Sequence, residues 1–118
     1  FSAGWAAGDP ERLSNLYTED AVRILHDVSE PIRGKDAIRA EWVARFASFE
    51  HRSYEATINN VRLSYSVIGP DLVIVDGLYE VFDEDGNLGY RGFWSTVERI
   101  RDGVARIVFE TAGEYKVE

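Results

Sequence analysis

His26 and Asp27 stand side by side where the apolar run AVRIL meets the turn VSEPIRG. An imidazole beside a carboxylate can move protons near neutral pH, because histidine titrates there and the acid can orient it. In a regular strand, however, neighbouring side chains point to opposite faces, so only a turn or bulge would bring both onto one substrate. A solvated strand end accounts for the same letters. His51, in FEHRS, reads as the polar exit of a helix, where an imidazolium complements the dipole. Arg23 and Glu110 stand out differently: each interrupts an apolar strand segment. Facing inward they would bring charge into a core, and facing outward they are surface charges or part of a dimer seam. His26, Asp27, Arg23 and Glu110 are the candidate catalytic residues.

The elements that must hold them follow from periodicity. FSAGWAAGDPERLSNLYTED divides at Gly8 into two short helices, with Asp9 as N-cap and Pro10 at the first helical position, where its missing N–H costs little. Leu13, Leu16 and Tyr17 give the second helix its apolar side. AVRIL is short and β-branched, a strand ending near His26 before Pro31 and Gly34 break the chain. In KDAIRAEWVARFASF, Ile38, Trp42, Phe46 and Phe49 share one helical face, while Arg39, Glu41 and Arg45 fall on or near the other. After His51 come four β segments, SYEATINNVRLSYSVIG, DLVIVDGLYEVFD, LGYRGFWSTVERI and VARIVFETAGEY, separated by the turn signals GPD, EDGN and RDG.

Helices followed by a meander predict an α+β fold with the helices on one side of a curved, mostly antiparallel sheet. Residues 1–118 form one domain, with a core fed by 45% hydrophobic residues. In the second long strand Val73, Val75, Tyr79 and Val81 share one face, and Leu72, Ile74, Leu78 and Phe82 the other. One helical layer covers one face, so a homodimer joined through the outer face is expected.

A net charge of −8 without a Lys/Arg cluster argues against nucleic acid as a partner. The absence of cysteine excludes disulfides, thiolate zinc sites and a cysteine nucleophile. No apolar run reaches bilayer length and the opening FSAGWAAGD lacks a signal-peptide pattern, so no membrane association and a cytoplasmic location are expected. Phe1 in place of Met leads us to expect that the numbering begins inside a longer chain. No Gly-rich phosphate loop, His-rich metal set or nucleophile elbow is present, and the expectation is no cofactor and no metal.

WAAGDPERLSNLYTEDAV, then PIRGKDAIRAEW, then a meander closing on ARIVFETAGEY resembles the nuclear-transport-factor-2-like superfamily, in particular its SnoaL-like branch. The resemblance covers nearly the whole chain and implies a cone-shaped half-barrel, closed by three N-terminal helices around a mostly apolar pocket, with frequent dimers through the outer sheet face. It implies little about chemistry, since the superfamily holds isomerases, cyclases, dehydratases, epoxide hydrolases, carriers and association modules. DAVRILHDVSEPIRG is similar to ketosteroid isomerases without a gap. Their base aspartate falls on Leu25, their oxyanion tyrosine on Phe1 and their second oxyanion acid near Ser95 or Thr96, so all three catalytic positions depart. Epoxide-hydrolysing relatives bridge two acids with an arginine, and Asp76, Arg91 and Glu110 could supply similar groups here, without a residue-by-residue match of spacing; charges on an outward face or across a dimer seam account for the same residues. His26 is expected at the mouth of the cone.

Trp5, Tyr17, Leu25, Trp42, Phe46, Tyr54, Tyr79, Tyr90 and Trp94 are the candidate ligand-binding residues, offering apolar walls with a few hydrogen-bonding edges. Two functions fit. One is a cofactor-independent acid–base enzyme of isomerase, cyclase, dehydratase or hydrolase type acting on a small apolar or cyclic molecule. The other is a non-catalytic ligand-binding or association domain on the same fold.

Overall fold

Asp9 caps the first helix, accepting a hydrogen bond from the Arg12 N–H at 3.1 Å, with Pro10 behind it. This computed structural model describes residues 9–47, 58–83 and 85–117. The elements are α1 (Pro10–Ser14), β1 (Tyr17–Leu25), β2 (Ile32–Arg33), α2 (Lys35–Ala47), β3 (Ile58–Val67), β4 (Leu72–Phe82), β5 (Leu88–Arg101) and β6 (Val104–Lys116). The expected helix before Gly8 lies outside the described residues, which contain two helices rather than three.

Helix α1 ends before Leu16 and Tyr17, which were expected on its apolar side. Tyr17 instead begins β1, because its backbone pairs with Ile107 and the Leu16 carbonyl accepts from the Ile107 N–H at 2.8 Å. Aromatic and β-branched residues such as Tyr17 and Thr18 favour that extended state. At the far side of the following turn Gly34 adopts φ +89°, donates its N–H to the Ala21 carbonyl at 2.8 Å and accepts from Ile38 at 3.0 Å. That left-handed residue swings the chain off β2 and starts α2 over β1.

The sheet is open and curved, in the order β2-β1-β6-β5-β4-β3, with every pair antiparallel except β1 and β6. Bulges in β1–β6, β3–β4, β4–β5 and β5–β6 bend the strands. The β5–β6 turn is Asp102-Gly103, both at positive φ, the pattern of a tight two-residue hairpin. In the loop after β4 the Asp83 carboxylate accepts from the N–H groups of Asp85 and Asn87.

Leu13, Tyr17, Ala21, Leu25, Ile32, Ile38, Trp42 and Ile107 form the core, where α1 packs on α2, α2 packs on the inner face of β1 and β2, and β6 contributes Ile107. The register carries that face outward through Glu110, Thr96, Val75 and Tyr65, and through Leu25, Ala112, Trp94 and Gly77. The opposite, outer face carries Ile24, Thr111, Ser95 and Asp76, then Phe93 and Leu78, then Tyr115, Arg91 and Glu80. Among the described residues no helix is long and apolar enough to cross a membrane.

Candidate functional site

Arg23 and Glu110 are partners in the parallel β1–β6 register, so strand alternation sends both side chains to the inner face beneath α2. They are 4% and 5% exposed, and a charge so deep persists only when paired. The Arg23 Nε donates to Glu110 Oε1 at 2.5 Å, and the Tyr17 hydroxyl donates to the same oxygen at 2.7 Å. The second arm of Arg23, Nη1, donates to Glu41 Oε2 at 2.9 Å. Trp42 lies 4.0 Å over the guanidinium and stacks on Phe46, so the cation is sandwiched by polar partners in its plane and an indole on its face.

The chain of charges continues toward the end of β1. Arg45 donates to Glu41 Oε1 from Nη2 at 2.8 Å and grips Asp27 through Nη1 and Nη2 at 3.1 and 3.2 Å. An arginine thus bridges two acids twice over: Glu110–Arg23–Glu41 in the interior and Glu41–Arg45–Asp27 at its edge. Beside the edge, across the sheet, the Tyr79 hydroxyl donates to Glu114 Oε2 at 2.9 Å.

Burial and the neighbouring Glu110 charge push the Tyr17 phenol up, outweighing the pull of Arg23, so it remains a donor. Tyr79 is also raised, first by burial and then by Glu114, while the charges of Arg45 and Asp27 reach it as well. Partial burial alone would raise Asp27. The Arg45 hydrogen bonds and charge override it and hold the carboxyl below 3.8. Desolvation likewise works to lower Arg45, but its two carboxylate partners leave it raised.

The sequence candidates therefore separate. Arg23 and Glu110 meet in the interior. Asp27 reaches the edge of the site through Arg45, whereas His26 is exposed and lies on the outer side, where a Cβ added at Gly113 would meet its Cβ at 3.4 Å. Leu25 points inward and His26 turns out, so the turn after β1 does not bring His26 and Asp27 to one side, and His26, expected at the mouth of the cone, stands on the outer side. Asp76 and Arg91 lie on the outer face and Glu110 on the inner, so those three do not assemble either. Arg91 pairs with Glu80 instead.

Of the aromatic and apolar candidates, Tyr17, Leu25 and Trp42 are buried core, and Phe46 packs against that core. Tyr79, Tyr90 and Trp94 are half-buried on the inner-facing register. Trp5, Tyr54, His51 and Phe1 lie outside the described residues. Thr96 is buried on the inner face, Ser95 sits on the other, and Leu25 keeps its buried inner position. Sequence reasoning missed Glu41, Arg45 and Glu114. Glu114 was reachable, being four residues beyond Glu110 on one strand face; Glu41 and Arg45 looked like part of a solvated helix side.

A depression of about 280 Å³ opens among Leu78, Tyr79, Glu80, Arg91, Gly92, Phe93 and Tyr115, mostly residues of the outer face. Among the described residues no set of His, Asp and Glu is arranged to hold a metal ion.

A profile of the SnoaL-like domain matches residues 1–110. No curated protein matches the sequence. Solved structures do: a protein of unknown function with a cystatin-like fold from Nostoc punctiforme at TM-score 0.78 and 14% identity, covering 96% of this chain and 81% of that one. A proposed ketosteroid isomerase from Parabacteroides distasonis aligns at TM-score 0.75 and 12% identity over 97% and 81% of the two chains. A proposed calcium/calmodulin-dependent protein kinase II association domain from Xanthomonas campestris aligns at 0.72 and 16%, over 96% and 79%. These identities show the fold alone. With the profile spanning most of its length, the chain belongs to the SnoaL-like domain family of the nuclear-transport-factor-2-like superfamily.

Proposed function

We propose that the inner face binds a small apolar or cyclic molecule and that the Tyr79–Glu114 pair performs acid–base chemistry on it. The observation that carries this reading is the convergence of two ionisable pairs, Tyr79–Glu114 from β4 and β6 and Arg45–Asp27 from α2 and the end of β1. Glu114 is half-buried and takes one hydrogen bond from Tyr79 on Oε2, which orients the carboxylate to accept a proton at its other oxygen. Asp27 is a weakened base, because the Arg45 hydrogen bonds and charge outweigh its partial burial and hold its carboxyl below the usual range. Arg23, Glu110, Tyr17 and Glu41 form the inner support. Their hydrogen bonds hold one another, and they fix α2 against the sheet rather than meet the ligand. Half-buried Trp94 and Val75 supply apolar wall beside them. A likeness to a proposed ketosteroid isomerase agrees with proton chemistry on such a fold.

The test is deuterium exchange at the α-carbon of small cyclic ketones, with binding followed separately by thermal shift. The native chain is expected to accelerate exchange, and Glu114→Gln to lose on the order of 10²–10⁴ of it while still binding. Binding without exchange would support the carrier reading, to which the likeness to an association domain also lends weight. Neither binding nor exchange across the series would overturn the reading.

A further inference from the structure

The most exposed large apolar side chains among the described residues lie on one edge strand. Leu63, Tyr65 and Val67 of β3 are 63%, 73% and 74% exposed. Nothing pairs with the free side of β3 among the described residues. Native edges are ordinarily protected by charge, proline or a bulge. Here the run from Leu63 to Ile68 has no charged residue and no proline, and only Arg62 and Pro70 bound it.

The backbone polarity of this edge is fixed by one hydrogen bond. The Ile68 N–H donates to the Leu72 carbonyl at 3.0 Å, so Ile68 turns its groups toward β4, and by alternation Leu63, Tyr65 and Val67 turn theirs to the open side. The same three residues that expose apolar side chains thus expose unpaired backbone donors and acceptors. Their sequence, Leu-Ser-Tyr-Ser-Val, is nearly symmetric about Tyr65.

We propose that β3 is a self-association edge, pairing antiparallel with β3 of a second copy about a two-fold axis through Tyr65. In that register Tyr65 faces its own copy, Leu63 faces Val67, and Ser64 faces Ser66. The Tyr65 pair and both Leu63–Val67 pairs exchange their backbone hydrogen bonds, apolar groups meet apolar groups on the inner side and hydroxyls meet on the outer. A two-fold interface must be self-complementary, and this strand is. Sliding the axis to Val67 would set Ser64 opposite Pro70, beyond the uncharged run. The expected homodimer through the outer face is the competing arrangement, and it uses Phe93 rather than Tyr65.

The absence of cysteine makes the test direct. In an antiparallel hydrogen-bonded pair the facing Cα atoms are about 5.5 Å apart, within disulfide range. Light scattering of the native chain at micromolar concentration should return twice its mass. Under mild oxidation Tyr65→Cys should give a covalent dimer and Phe93→Cys should not. Tyr65→Lys, which sets two ammonium groups on the axis, should give a monomer that still unfolds cooperatively, with a melting temperature no longer dependent on protein concentration. A monomeric native chain, a dimer that survives Tyr65→Lys, or cross-linking through Phe93→Cys alone would overturn the proposal. Cross-linking decides between the two faces even where Tyr65→Lys fails to fold.

Discussion

Tyr79 lies across Gly92, its register partner on the neighbouring strand, so closely that a Cβ on residue 92 would fall among the phenol ring atoms. The glycine is the space the ring occupies. One step along β5, on the other face, Phe93 covers Gly113 in the same way, where an added Cβ would meet the ring at 2.9 Å. Two aromatics laid over glycines on opposite faces fix the position of β5 between its neighbours.

Gly92→Ala should expel the Tyr79 ring and break its hydrogen bond to Glu114. Tyr79 owes its raised pKa to burial first and to Glu114 second, so the displaced phenol should titrate nearer 10. Ultraviolet difference titration would read this, with Tyr79→Phe identifying the signal. An unchanged tyrosine titration with the chain still folded would mean that the ring does not depend on that space.

Glu110→Ala should leave Arg23 and the Tyr17 hydroxyl buried without their shared acceptor. Breaking one partner of a buried ion pair costs on the order of 3–5 kcal/mol. Arg39→Ala, which removes the exposed Arg39–Glu11 pair, should cost about 0–1 kcal/mol. Urea unfolding of the two variants gives the contrast, and equal losses would place Glu110 outside the support of α2.

Asp27 contributes stability that depends on pH. Its carboxyl lies below 3.8 in the folded chain, so the contribution is complete above 3.8 and disappears as pH falls through the folded value. Native protein should therefore melt above Asp27→Asn near neutral pH, and the gap should close in strong acid. A gap independent of pH would show that shape, not charge, makes the difference.

Much of this fold was legible because its signals are local. The stripe of Ile38, Trp42 and Phe46 repeats with the helix, and GPD, EDGN and RDG carry the residues tight turns need. The start of β1 was not legible, since Thr18, Glu19 and Asp20 show no apolar alternation and Tyr17 is held by Ile107, far along the chain. β2 is too short for any period to show. At the site, Arg23 and Glu110 announced themselves by interrupting apolar runs, but nothing in the sequence states that they face one another. His26 was conspicuous by type and turned outward by alternation. Glu41 and Arg45 flank Trp42 on α2, and a helical pattern alone does not distinguish a flank that meets buried charge from one that meets water.

The parallel pairing of β1 with β6 also orders events in time. Tyr17 and Arg23 are 93 and 87 residues from the Glu110 they hold. Such distant closures make folding slow, because the loop entropy is lost before the contact forms. On the ribosome, Arg23 emerges long before its acid, while the β3–β6 meander can zip hairpin by hairpin as it appears. The last strand therefore completes both the sheet and the ionic support beneath α2, and until β6 arrives the N-terminal third of the chain carries a cation with no interior to enter.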